Sequence, residues 1–346
     1  MGRYDASGIA LDLDTQYNRP RPLFAAEELY EQNAALINPQ DDPAIRAQFI
    51  EDNAFNTVTY NEIFTLPDDS PGGETYYSIT FGDVALVSMY ATRIWRTGST
   101  SPNALGKYVE PRFTLTNPFN CGHGEFIFEP VQEGSEQYTW LAETLNSEAF
   151  QSAPYKVVLM HHPMHSLGGN VIPAFTDPVP TIERNPNGEI TAIRYEYPLS
   201  EDKLINDIQP LLIDAGVDLV LMGHSHVYNR FADESGIHFL ESSNVGNSYD
   251  AFVEGGMERR NGPRDRALYN EANYPLTGNP FGLDPIMPTI APLTDEGGNP
   301  QPFVASDQIT VFSILTTEDG VIRSYYFDTT QPDNEVVLFD EFALNE

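Results

Sequence analysis

Two short apolar runs, Lys156-Val157-Val158-Leu159-Met160 and Asp218-Leu219-Val220-Leu221-Met222, leave this chain few ways to fold. Continuous runs of this length, without polar alternation, read as strands covered on both faces. Between them Ser200 opens a helix whose Leu204, Ile205, Ile208, Leu211 and Leu212 recur at helical spacing, and Gly216 closes it just past its last turn. Strand, helix, strand in that order predicts parallel neighbours in one α/β sheet. Each run leads directly into histidines: His161-His162-Pro163-Met164-His165 after the first, His224-Ser225-His226 after the second. Ligands of open α/β sheets bind at the carboxyl ends of strands, so the two clusters are expected to converge. Neutral imidazoles suit a borderline cation such as Zn, Fe, Mn, Co or Ni. Gly223 reads as the residue that lets the second loop turn sharply. The isolated His123 and His238 read as structural. Cys121 has no basic neighbour to activate its thiol and reads as inert.

The rest of the chain divides at about residue 60. Residues 1–60 are polar and irregular, with helices expected over 25–36 and 43–50. Residues 61–346 hold the α/β pattern. Two β runs, 76–81 and 84–89, flank the hairpin signal Gly82-Asp83. A long loop is expected over 91–134. Ser135 then caps a helix carrying Trp140, Leu141 and Leu145 on one face. A second loop is expected over 166–198. Seven prolines mark 275–302 as a surface excursion. Strands return at 309–315, 321–327 and 335–339.

Charge narrows the partners. The 346 residues carry 51 Asp+Glu against 18 Lys+Arg, a formal net charge of −33. Nucleic-acid binding is excluded by this balance, because phosphate contacts need clustered Lys and Arg, and an anionic membrane surface is disfavoured. With 40% apolar and 12% aromatic residues the chain is globular rather than an acidic tail. The acidic excess reads as a solvated surface of the secreted or salt-adapted kind, so an extracellular or periplasmic location is expected, although the first residues lack the pattern of a signal peptide. A single cysteine leaves no internal disulfide framework and no multi-cysteine zinc site. No apolar run is long enough for a membrane span.

With these residues in view, a family resemblance emerges. Val158-Leu159-Met160-His161, followed by His162-Pro163, resembles the fourth signature block of calcineurin-like metallophosphoesterases. Gly223-His224-Ser225-His226 resembles their fifth block, and the continuation Val227-Tyr228-Asn229-Arg230 is similar to the form found in purple acid phosphatases. The β pair at 76–84 and Gln137-Tyr138-Thr139-Trp140-Leu141 also resemble family segments. Together these motifs cover about residues 60–245. The resemblance implies an α/β fold, a metallophosphoesterase-type β-sandwich flanked by helices. It implies two metal ions (Fe, Zn or Mn) about 3.5–4 Å apart acting on a small-molecule phosphoester. By position in the blocks, His161 and His224 would hold one ion and His226 the other. Tyr228 and Arg230 would support the turn. His162 or His165 would orient a phosphate oxygen or protonate the leaving group. Asn170 would contact substrate where related enzymes place a histidine.

The first three blocks of the family, which supply a bridging Asp and further ligands, do not occur in this sequence. Gly82-Asp83 is not one of them, because it lies in the hairpin after the place of the third block, and the Asp12-Leu13-Asp14 stretch only faintly resembles the nucleophile loop of haloacid-dehalogenase-like phosphatases. The N-terminal part of the family's domain is therefore expected to be missing, leaving a sheet edge for an N-terminal segment or a partner chain to complete. The reading that follows is a metal-dependent phosphoester hydrolase, incomplete as given. The alternatives are a non-catalytic metallophosphoesterase-like binding or structural protein, and an unrelated acidic metal-binding surface protein.

Overall fold

A computed structural model describes residues 23–54, 57–95, 108–109, 125–127, 129–242, 245, 251–253, 260, 262–331 and 333–344. Asp12, Asp14, Cys121 and His123 lie outside the described residues. The strands are β1 (Tyr77–Phe81), β2 (Val84–Ser88), β3 (Arg93–Trp95), β4 (Glu125–Ile127), β5 (Tyr155–Leu159), β6 (Val179–Arg184), β7 (Ile190–Glu196), β8 (Leu219–Met222), β9 (Tyr228–Ala232), β10 (His238–Ser242), β11 (Phe303–Val304), β12 (Ile309–Thr316), β13 (Val321–Asp328) and β14 (Val337–Ala343). Seven of them form one mixed sheet in the order β1-β2-β5-β8-β10-β9-β11. Within it β2, β5, β8 and β10 run parallel, and β1, β9 and β11 are antiparallel to their neighbours.

Both faces of this sheet are covered, which is why its central strands read as unbroken apolar runs. Successive side chains point to opposite faces. Val158 and Val220 join Val87 and Phe239 under the helices, packed by Leu141, Leu145, Phe150, Leu204, Ile208 and Leu212. Val157, Leu219 and Leu240 face the other way, onto Val311, Ile322, Phe339 and Phe342 of an antiparallel sheet ordered β12-β13-β14. The result is an α/β sandwich with helices on its outer face, the architecture the motifs imply.

Two helix ends follow their sequence signals, whereas Ser200 does not open its helix: it lies in the 3-10 turn Leu199–Glu201, and Asp202 Oδ1 accepts the Ile205 N–H at 3.0 Å. Ser135 Oγ accepts the Tyr138 N–H at 3.1 Å and caps the helix Glu136–Leu145. Gly216 takes φ 67° as the left-handed cap after Gln209–Ala215. The turn before that helix, Leu204–Ile208, is π-helical, with Gln209 N–H bonded to Leu204 O. Pro210 follows at once, so the ladder widens where an N–H is missing. The N-terminal helices run Leu23–Ile37 and Pro43–Asn53 and share a small core of Ala26, Tyr30, Phe49 and Ile50.

Three expectations differ from the structure. The stretch 91–134 is not loop throughout, because β3 and β4 pair antiparallel within it. Residues 166–198 are not loop throughout, because β6 and β7 pair as a hairpin across the turn at Asn185–Gly188. Every residue of β6 is exposed, so no core-facing alternation announced it. The segments that become β9 and β10 were not expected to be strands. Tyr228, Asn229 and Arg230 are buried polar residues, and their burial depends on partners distant in the chain.

The chief such partner is Asp340. Its carboxylate receives Arg230 Nε at 2.9 Å, Arg230 Nη2 at 3.1 Å, the Tyr228 hydroxyl at 2.6 Å and the Thr289 N–H at 2.9 Å. This network pins β9 of the large sheet to β14 of the small one, and these contacts hold the Asp340 carboxyl below its usual range despite its burial. Removing one partner strands a buried charge. Asp340→Ala is therefore expected to lower unfolding free energy by about 3–5 kcal/mol, read from urea denaturation, with no change in the secondary structure of the folded fraction.

Candidate metal centre

Parallel pairing brings the two histidine loops together. Past the last paired residues of β5 and β8 the ladder continues: Met160 N–H donates to Leu221 O at 3.0 Å, and Gly223 N–H to His161 O at 3.1 Å. The first loop residues thus stay side by side. His161 Nε2 and His224 Nδ1 lie 2.8 Å apart. One ligand atom from each of His161, His162 and His224 falls within 4.8 Å of the others. The His162 and His224 rings lie 4.1 Å apart, tilted by 35°.

The second loop turns by an unexpected route. Its left-handed positions are His224 (φ 81°) and His226 (φ 57°), not Gly223. A non-glycine residue held there costs on the order of 1–3 kcal/mol, so the surroundings must impose the conformation. Several contacts do so. Asn170 Nδ2 donates to His224 O at 3.0 Å. Between the two histidines, Ser225 N–H donates to Glu241 Oε1 at 2.7 Å. A Cβ on Gly168 would lie 2.2 Å from Ser225 Cβ, so only glycine lets the two loops touch there.

Burial lowers the pKa of His161, helped by the charge of His226, and lowers that of His162 well below 6.5. For His162 the neighbouring His224, Arg93 and His161 add to the effect of burial. Both rings are therefore neutral at pH 7, the state in which an imidazole can bind a cation. Three imidazole nitrogens in one cluster suit a borderline metal, and among the described residues this cluster contains no carboxylate.

Other expected site residues stand elsewhere. His226 is not one of the clustered three, though its charge reaches His161. His165 packs against Phe239 and lies between two amides. Its Nε2 is 3.1 Å from Gln209 Oε1 and its Nδ1 2.8 Å from Asn279 Nδ2. Those partners define the neutral tautomer carrying its proton on Nε2. Asn170 braces the His224 backbone. Tyr228 and Arg230 engage Asp340 rather than the histidines. The isolated His238 packs against Phe342 with ring centroids 4.7 Å apart and planes tilted by 38°. Glu241, Ser166 and Asn229 were missed by sequence reasoning, although a lone carboxylate at the end of the apolar stretch Ile237-His238-Phe239-Leu240 was a usable signal.

Beside His161 opens a cavity of 370 Å³ at the carboxyl ends of β2, β5, β8 and β10. Thr57, Tyr60, Ser88, Thr92 and Ser242 line it together with His161, and none of its lining residues is charged.

Burial holds the His165 pKa at about 4. The unfolded chain takes up this proton near pH 6.5 while the folded chain does not, so stability is full above pH 6.5 and falls as pH drops toward 4. His165→Gln is expected to remove about 2 kcal/mol of the stability lost by the parent between pH 7 and pH 5, measured by urea denaturation at the two pH values.

The sequence can now be set beside known proteins. The calcineurin-like phosphoesterase family model matches residues 76–228, somewhat under half of the chain. A search of curated protein sequences finds no match. Among solved structures, similarity extends to the purple acid phosphatase PPD1 of yellow lupin (Lupinus luteus) seeds. The identity is 14% and the TM-score 0.37, and the match covers 85% of this chain and 36% of the lupin chain. GAP50, the anchor in the inner membrane complex of Plasmodium, is similar at 12% identity and a TM-score of 0.30, over 78% of this chain and 54% of that one. This chain thus spans about a third of the lupin protein and about half of the Plasmodium protein. Residues 76–228, which hold both histidine loops, match the model of the calcineurin-like phosphoesterase family that their motifs resemble.

Proposed function

We propose that this chain carries the histidine side of the active centre of a metal-dependent phosphoester hydrolase of the purple acid phosphatase kind. The observation that supports it best is the 2.8 Å approach of His161 Nε2 and His224 Nδ1. Two lone-pair-bearing nitrogens that close share one proton, and a cation suits the same place. His161 and His224 hold the ion, and His226 serves a second one as the resemblance implies. Zn, Fe and Mn all suit imidazole nitrogen. When bound, the metal supplies Lewis-acid polarisation of a phosphoryl oxygen and a more acidic coordinated water.

The chain's own residues supply the rest. His162, 1% exposed and within the cluster, packs against the His224 ring and backs that ligand rather than meeting the substrate. His165 is left out of the chemistry, because both its ring nitrogens are occupied by amides. The cavity beside His161 receives the organic part of the ester. Its uncharged lining, with Met89, Leu159, Met160 and Met222 beside the hydroxyls, favours a neutral, partly apolar organic group over a nucleotide or polyphosphate, which a chain of net charge −33 would repel. An extracellular or periplasmic location belongs to the same proposal and is supported by that acidity.

A second reading, a non-catalytic module binding a single ion, is favoured by one observation: the all-imidazole make-up of the cluster. Two ions a few ångströms apart need a carboxylate between them to offset their repulsion. Calorimetric titration with Zn²⁺ and turnover of an aryl phosphate separate the readings. Binding that His224→Ala weakens about tenfold or more, together with metal-dependent turnover that appears once a segment carrying the absent family blocks is supplied and that the same variant abolishes, is the outcome expected of the hydrolase. Binding without turnover even in that completed form supports the second reading, and absence of binding overturns both.

A further inference from the structure

The two histidine loops leave different strands, and backbone pairing ends at His161 and Gly223. Something beyond the sheet must hold them in register through the strained His224-Ser225-His226 turn. A fully buried carboxylate on β10, which the proposed chemistry does not use, stands at that point. Glu241 is 0% exposed. One oxygen, Oε1, accepts the Ser225 N–H at 2.7 Å, at the centre of the second loop. The other, Oε2, accepts the Ser166 hydroxyl at 2.5 Å, in the first loop, and Asn229 Nδ2 at 3.2 Å. Asn229 Oδ1 in turn accepts the Leu167 N–H at 2.6 Å, and Ser166 Oγ accepts the Gly168 N–H at 2.8 Å.

We propose that Glu241 is the positioning residue of this centre, a buried carboxylate clamp that locks the first histidine loop to the second and imposes the left-handed turn that presents His224 and His226. The proposal rests on reading His161 and His224 as metal ligands. The physical case is one of geometry and satisfaction. A carboxylate offers only acceptors, and the groups that meet it here are donors: one backbone N–H, one hydroxyl and one amide N–H. Each oxygen serves a different loop, so any shift of one loop relative to the other breaks a buried bond. Two adjacent-but-one residues at positive φ persist only where such over-determination exists. The clamp touches no substrate and no imidazole. It acts through Ser225 and Ser166.

Glu241→Gln tests this in the full chain. The amide keeps one acceptor for the Ser225 N–H but turns an N–H₂ toward donors of Ser166 and Asn229. Two measurements are made: imidazole ¹⁵N resonances of His161 and His224 in the metal-free protein, and the Zn²⁺ Kd by calorimetry. The expected result is loss of the His161–His224 shared hydrogen-bond signature and Zn²⁺ binding weakened about tenfold or more, with near-UV circular dichroism like the parent's. Ser166→Ala leaves the carboxylate and its Ser225 bond in place and removes the direct Ser166 tie together with the Gly168 N–H bond, while Asn229 still links Glu241 to Leu167; it is expected to weaken Zn²⁺ binding several-fold, and it decides the matter if Glu241→Gln does not fold. A lower Tm with unchanged ring resonances and unchanged Kd overturns the clamp. If the parent binds no Zn²⁺, the metal reading falls and the ring resonances alone decide the clamp.

Discussion

The pairing of β5 with β8 is the constraint from which the rest of this molecule follows. Parallel neighbours end at the same side of a sheet, so two loops separated by some sixty residues emerge side by side. The connecting helix returns the chain to the starting edge, and its apolar stripe closes the core over Val158 and Val220. A two-sided sheet requires a second cover, and β12, β13 and β14 provide it. Once both faces are sealed, the carboxyl ends of the strands are where polar chemistry can concentrate, and the histidines lie there.

Concentrating imidazoles in this way has an electrostatic consequence. Burial and mutual repulsion keep His161 and His162 neutral, in a chain whose overall charge would otherwise draw protons onto them. The supporting carboxylates are treated in two ways. Asp340 is paired with Arg230 and Tyr228 and held ionised across the sandwich. No cation stands beside Glu241 among the described residues, and burial raises its pKa to about 7. One ties sheet to sheet; the other ties loop to loop.

Much of this was legible in the residues. Val157 to Met160 and Leu219 to Met222 announced buried strands because both faces are apolar, and Ser135 and Gly216 marked helix ends because caps are local chemistry. The convergence of His161 with His224 followed from topology alone. By contrast, β6 and β7 were illegible, since a hairpin lying wholly on the surface leaves no core-facing pattern. The roles of His162 and His165 could not be separated in sequence. They stand three residues apart in one loop, yet one ring faces His224 and the other is enclosed by Phe239, Gln209 and Asn279.

What the sequence determined by itself was the set of local preferences: apolar runs, caps, and histidines placed just beyond strand ends. Those depend on periodicity and on groups a few residues apart. Tertiary structure alone decided which imidazoles cluster, which residues take the left-handed conformation, and which carboxylate binds both loops. Glu241 meets Ser166 across 75 residues and Ser225 across 16, and Arg230 meets Asp340 across 110. Hydrogen bonds between groups so distant exist only after the sheet has formed, because the free energy that holds a buried polar group depends on the partners the fold brings to it.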